Sequence, residues 1–229
     1  MPNAKQELIN AIARARAAGR VVIVDPPITP ADLVGLAARC GTPPPDIQEF
    51  AEYSAGFSVD GFAMSICADQ PFEFEQIFAC AVAIATDGRG NFWVVDVSAN
   101  GAWGAIFFIA HDPPVAFVQA RDLESFVAQI ADGRVISIKD NAVALIASEN
   151  PYVLSRADAL ASADSVLRAF AELLSDSFVI ADMRDLELGK GFVWGAAGPN
   201  TEVRRAGEEL LFAIERRKRG MLERLFLGS

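Results

Sequence analysis

Histidine is nearly missing from this sequence: His111 is the only one. Cysteine is also scarce, present at Cys40, Cys67 and Cys80, an odd and widely spaced set without a C-x-x-C pair. These two shortages argue against a zinc site of the Cys/His kind and against a disulfide framework, and they fit a reducing cytoplasm. They also leave Ser or Cys nucleophilic catalysis a single candidate base. Tyrosine is rare, 2 residues against 16 phenylalanines, so the aromatic mass reads as core. Positive charge is in deficit, with 20 Lys and Arg against 30 Asp and Glu. A net charge of -10 opposes sequence-independent binding to a phosphate backbone. Long apolar runs are missing too. The longest, residues 77–85 and 105–110, fall far short of the roughly 20 residues that span a bilayer. Residues 1–19 read as an amphipathic helix and not as a signal peptide. The expectation is a cytoplasmic protein that binds neither membrane nor nucleic acid.

The 229 residues, 52% hydrophobic and 22% charged, suffice for one large domain or a domain with an appendage. Helical spacing through Leu8, Ile9, Ile12 and Ala15 predicts a first helix that stops at Gly19. A short strand, 20–25, ends at Pro26-Pro27. Thr29 and Pro30 carry the cap and first position of a second helix that stops at Gly41. Residues 43–56 read as a third helix, with Gly56 as its stop. The period then becomes extended: a hairpin about Asp60-Gly61, followed by strands within 76–87, 91–98, 103–112 and 115–120. Short turns between them favour an antiparallel meander. Leu123, Phe126, Val127 and Ile130 restore the helical period. Beyond a region of ambiguous pattern, 134–160, come a helix over 163–174, four short strands and a short basic helix. The sequence thus predicts an α+β fold, with a core over 1–133 and an extension over 134–229 packed on it as one compact unit.

The stretch Asp87 to Asp96, DGRGNFWVVD, admits three readings. A calcium loop fails because Arg89 occupies an alternating ligand position and Ser98 stands at the twelfth position, where a glutamate is required. A phosphate cradle fails because neither the lysine nor the following helix is present. A glycine hairpin entering a central strand fits: Gly88 and Gly90 supply positive φ, and both faces of 92–97 are largely apolar. Phe92, Val94 and Asp96 share one face of that strand, and Trp93, Val95 and Val97 the other. Asp96, at its end, is expected to accept N–H bonds from the next turn.

Other sources of chemistry have plainer explanations. Cys80 lies in an apolar run, as a buried inert thiol would. Glu73 and Glu75 alternate with Phe72 and Phe74, the pattern of an ordinary half-buried strand. The segment 204–224 carries seven basic and four acidic side chains, a net of +3, and leaves -13 for the rest of the chain. With Met221, Leu222, Leu225 and Phe226 on one side, its end reads as a docking helix with a solvated basic face.

Several segments together resemble the SUKH superfamily, the Smi- and Knr-type fungal cell-wall regulators and their bacterial relatives. They are the helix from Pro44 to Gly56, the glycine turn and strand from Asp87 to Asp96, the strand from Trp103 to Phe107, the turn from His111 to Pro114 and the helix from Leu123 to Ile130. Residues 190–215 resemble an extension found in some bacterial members. The chain departs from the pattern at Ala51 to Ala55, where the family has an Asn-Gly ending. The resemblance implies a curved, mainly antiparallel sheet flanked by helices, with no cofactor and no metal. It also implies function by protein binding, as an immunity-like inhibitor of a toxin domain or as a regulatory scaffold with an endogenous partner. An enzymatic or small-molecule role in the Trp93/Trp103/Trp194 region is the remaining alternative. An acidic inhibitor would complement a basic toxin domain by occlusion, with the concave sheet face and its loops as the covering surface. The expected contacts are Asp60, Glu73, Glu75 and Asp112, with Trp103 as aromatic anchor. The sequence leaves the partner and the oligomeric state open.

Overall fold

The computed structural model describes residues 4–67, 77, 78, 80–135, 152–195 and 201–216. Helix α1 (Ala4–Ala17) buries Leu8, Ala11, Ile12 and Ala15, one stripe at helical spacing. Helix α2 (Pro30–Cys40) begins as its sequence requires, with the Thr29 hydroxyl accepting the Asp32 N–H at 3.2 Å. Helix α3 (Pro45–Tyr53) ends earlier than the glycine suggested: Ser54 is already extended, and its Oγ accepts the Gly56 N–H. Gly56 opens strand β2 (Gly56–Val59) instead. A Cβ there would lie 2.0 Å from the Met64 carbonyl oxygen, so close strand contact, not helix termination, demands the glycine.

β2 and β3 (Phe62–Ser65) form the expected hairpin, with Asp60 and Gly61 both at positive φ. β1 (Val22–Val24) completes a three-stranded sheet in the order β1-β2-β3.

The central sheet is an antiparallel meander, β4 (Val82–Thr86), β5 (Phe92–Val97), β6 (Trp103–His111) and β7 (Pro114–Ala120). β4 starts only at Val82, five residues after Ile77. Helix α4 (Leu123–Asp132) follows, started by a reciprocal Asp122–Ser125 capping box and ended by Gly133 in the left-handed region. β8 (Val153–Ser155), α5 (Arg156–Ala161), α6 (Ser165–Glu172), β9 (Phe178–Asp182), β10 (Gly191–Val193), β11 (Val203–Arg205) and β12 (Leu211–Glu215) complete the described elements. β10, from beyond residue 133, adds to the outer edge of β7, which gives the order β10-β7-β6-β5-β4. The remaining strands form a third sheet, β11-β12-β9-β8, also antiparallel.

Alternation along the central strands sets the layers. Trp93, Val95, Ile106, Phe108 and Phe117 face a first core shared with α1, α3, α4 and the small sheet. Val94, Phe107, Ile109 and Val118 face a second core shared with Val179, Ala181, Phe212 and Ile214 of the third sheet. That sheet's other face packs on α5 and α6 through Leu167, Phe170, Ile180 and Ala213. The order is helices, sheet, sheet, helices, an α+β architecture. Each fully buried phenylalanine contributes roughly 2–3 kcal/mol.

The architecture corrects one expectation. The central sheet offers no open face for a partner, because its residues are buried on both sides. Each layer covers the hydrophobic face of its neighbour, so among the described residues the central sheet leaves contact surface only at its ends and turns. Among the described residues, no helix is long and apolar enough to cross a membrane. The basic segment after Arg216 lies outside the described residues.

Candidate functional site

Bulges decide where the site's side chains point. Val95 pairs with Ile106 and Val97 with Trp103, so β6 carries one residue more than β5 at that step. Gly104 permits it, since a Cβ there would lie 3.1 Å from the Asp96 carbonyl oxygen. The extra residue turns Trp103 to the helix side, half-buried against the first core. A second bulge makes Gln119 the extra residue of β7. Its buried amide accepts Trp93 Nε1–H at 3.2 Å and donates to Gln129 Oε1 at 2.7 Å, which anchors α4 to the sheet.

At the Trp103 end, the β5–β6 turn closes against the α2–α3 link. A Cβ on Gly101, whose φ is +83, would lie 2.9 Å from the Thr42 carbonyl oxygen. Asp46, in the first turn of α3, follows four residues later. β7 ends at the same side, opposite Ile106, and Asp122 caps α4 just beyond it. α1 lies parallel to α4: Glu7 acts on Glu124 in their first turns, and Arg14 bonds Asp132 in their last, at 3.4 Å. First turns of three helices therefore gather here, bringing Glu7, Asp46, Asp122 and Glu124 together.

Each carboxylate complements a helix N-terminus locally. Together they repel. Burial, followed by the charges of Asp122, Asp46 and Glu7, pushes the Glu124 carboxyl above its usual range. Glu7 pairs with Arg14 at 2.8 Å. Among the described residues the other three carry no ion pair, and neighbouring Arg121 donates to the Leu186 carbonyl. The arrangement is a group of acidic side chains at the first turns of α1, α3 and α4, with Trp103 half-buried against the first core that these helices share.

The three expected contacts among the described residues, Asp60, Trp103 and Asp112, do not form one patch. Asp112 lies exposed in the β6–β7 turn, nine residues along from Trp103, roughly 30 Å for an extended strand. Asp60 is held elsewhere: it accepts Arg20 Nε at 2.7 Å and the Val21 N–H at 3.0 Å, and Arg20 also donates to the Ile130 and Ala131 carbonyls. Arg20 and the Val21 N–H keep the Asp60 carboxyl below its usual range. It joins the small sheet to the last turn of α4. Glu73 and Glu75 lie outside the described residues. Asp46 was missed together with Asp122 and Glu124 because they lie on different elements, α3 and α4, far apart in the sequence. The one available signal was an acidic residue near each helix start.

DGRGN forms the β4–β5 turn. The Asp87 carboxylate accepts the N–H groups of Arg89 and Asn91 and the Asn91 side-chain amide. Its oxygens are thus engaged by the turn itself. His111 packs on this turn, Nδ1 lying 3.3 Å from the Gly90 carbonyl oxygen, and Arg89 is exposed. Asp96 differs from its expected role: it binds the Arg205 guanidinium in a fork, at 2.7 and 2.8 Å, tying β5 to β11 of the third sheet.

Other clusters are satisfied internally. An open cleft of about 540 Å³ is lined by Tyr152, Leu154, Asp182, Arg184, Asp185 and Lys190. Arg184 bonds Asp182 and Asp164, and Lys190 bonds Asp185, so its charges are already paired. Burial pushes the Cys67 thiol up to about 11 and also raises Cys40, the opposite of an activated nucleophile. Among the described residues, no group of three or more His, Cys, Asp or Glu is placed to hold a metal ion.

Together these features define a layered α+β protein with acidic residues at the first turns of α1, α3 and α4. Comparison with protein-family models and with curated protein sequences gives no match.

Proposed function

We propose that this chain is a SUKH-like protein-binding module, an immunity-like protein that neutralises a basic toxin domain by covering its active face. Its contact surface is the Trp103 end: the indole as anchor, with Glu7, Asp46, Asp122 and Glu124 as the charged rim. The observation that carries this reading is the meeting of the first turns of α1, α3 and α4, where Glu7, Asp46, Asp122 and Glu124 lie and only Glu7 has an ion pair among the described residues. Keeping these carboxylates close costs stability, and a cationic partner offsets that cost on binding. The -13 charge outside residues 204–224 acts in the same direction by speeding encounter with a basic surface. The resemblance of the central strands and turns to the SUKH pattern supports the class of function.

The test is co-expression with a candidate basic toxin domain. The native chain restores growth, while Trp103→Ala and Glu124→Lys, checked for folding by circular dichroism, do not. Rescue that survives both substitutions would place the contact elsewhere. Absence of rescue and of complex by the native chain would reject the pairing itself.

A further inference from the structure

Two of the three cysteines meet in the fold although they stand 40 positions apart in the sequence. Cys40 is the last residue of α2, on the same buried stripe as Leu36 one turn before it. Its Sγ lies 4.0 Å from the carbonyl oxygen of Ala81, the residue that follows Cys80. Both thiols pack on the first core, Cys40 at 3% exposure and Cys80 half-buried. Burial, and in smaller part the charge of a Cys80 thiolate, push the Cys40 thiol above its usual range, as neighbouring sulfurs do.

The surroundings of the two thiols set an order of reaction. Cys80 borders an open cleft of about 270 Å³ with Ile77, Val97, Ser98 and Ala99, so a small molecule reaches it from solvent. Cys40 is enclosed by the core. Cys80 also sits in a turn, closed by the Ala81 N–H donating to the Phe78 carbonyl at 3.2 Å, and β4 begins only at Val82. A turn can shift toward the end of a helix until the two Cα atoms stand about 4.4–6.8 Å apart, as a disulfide requires. Cys67 is placed differently. It borders another cleft along the Ala31, Asp32, Gly35 and Arg39 side of α2, whereas Cys40 faces the core. In an unfolded chain the shortest loop favours Cys67 with Cys80. The fold favours Cys40 with Cys80.

We propose that Cys40 and Cys80 form a reversible disulfide by exchange with a low-molecular-weight disulfide such as oxidised glutathione. The Cys80 thiolate attacks one sulfur of that donor, which releases one thiol and leaves a mixed disulfide on Cys80. The Cys40 thiolate then attacks the Cys80 sulfur and releases the second thiol. The two cysteines are oxidised, the donor is reduced by two electrons, and the two cysteine protons end on the released thiols. The bridge ties the end of α2 to the start of β4 and closes α3 and the β2–β3 hairpin into one loop.

Peptide mapping of the native full-length chain tests this. The chain is equilibrated with graded mixtures of glutathione and glutathione disulfide at about pH 8, near the ordinary thiol range. It is then quenched with an alkylating agent and digested without reduction. The expected product is one linked peptide pair, Cys40 with Cys80, with Cys67 alkylated and the far-UV circular dichroism unchanged. Under the same conditions Cys40→Ser stops at a single glutathione on Cys80, and Cys80→Ser leaves Cys40 free. A linkage through Cys67, glutathione on Cys40 in the Cys80→Ser chain, or unlinked Cys40 and Cys80 at the most oxidising ratio would overturn the proposal.

Discussion

The fork between Asp96 and Arg205 joins two sheets, and its removal has a calculable effect. Both side chains are 13% exposed. The guanidinium also donates to the carbonyls of Ile77, Glu208 and Glu209, and lies 5.7 and 5.6 Å from the ring centres of Phe78 and Phe212. Losing one partner of a fully buried pair costs about 3–5 kcal/mol. After Asp96→Asn the arginine keeps three carbonyl acceptors, so the expected loss is about 2 kcal/mol. Arg205→Met removes every one of those bonds and strands a carboxylate, for about 3 kcal/mol. Arg205→Lys recovers little, since an ammonium cannot reproduce the fork. In urea unfolding, with a slope near 2 kcal/mol/M, Asp96→Asn lowers the midpoint by about 1 M. The double variant loses less than the sum of the single losses, by about 1–2 kcal/mol. A midpoint shift under about 0.2 M for Asp96→Asn, or strict additivity in the double variant, would refute this account of how the third sheet is held.

Three further outcomes are expected. Gly90→Ala forces a methyl to 2.9 Å from His111 Cε1 at a φ of +86, and lowers stability by about 1–2 kcal/mol. Adding His111→Ala recovers the contact part of that loss but not the backbone part, as thermal unfolding would report. Arg184 holds the Asp182 carboxyl below its usual range. That stabilisation is present above the unfolded value, about pH 4, and is lost as pH falls through the folded value, so Asp182→Asn melts lower at pH 7 and converges with the native chain in acid. A gap that persists at pH 2 would contradict the assignment. Glu124 has the opposite sign: its carboxyl is raised, so its penalty is full above the folded value and is relieved as pH falls. Glu124→Gln therefore melts higher than the native chain at pH 7 and equally at pH 3, and a lower melting point at pH 7 would count against like-charge repulsion at this end.

Local features were legible in the sequence. Thr29-Pro30 started α2, and glycines at 61 and 88 marked turns, because each acts through its own backbone; the Asp122 cap and the Gly133 stop of α4 were not singled out. Gly56 was misread because the close contact that requires it is with Met64 on another strand. Asp96 was misread for a similar reason: its partner, Arg205, is 109 residues away. Strand alternation placed Trp93 and Val94 on opposite faces, but not the bulge at Gly104 that turns Trp103 to the helix side. Nor did alternation reveal that two layers cover both faces of the central sheet. The acidic end arises from packing three helices so that their first turns meet, and no spacing within one segment encodes that.

The most direct test of the binding surface is paired affinity capture from the native host, with the wild-type chain and Trp103→Ala/Glu124→Lys as parallel baits, followed by titration of the purified partner. The account expects a basic protein retained by the wild-type chain alone, with affinity falling as salt rises. Equal retention of the same proteins by both baits, or a partner whose binding is indifferent to salt, would contradict it.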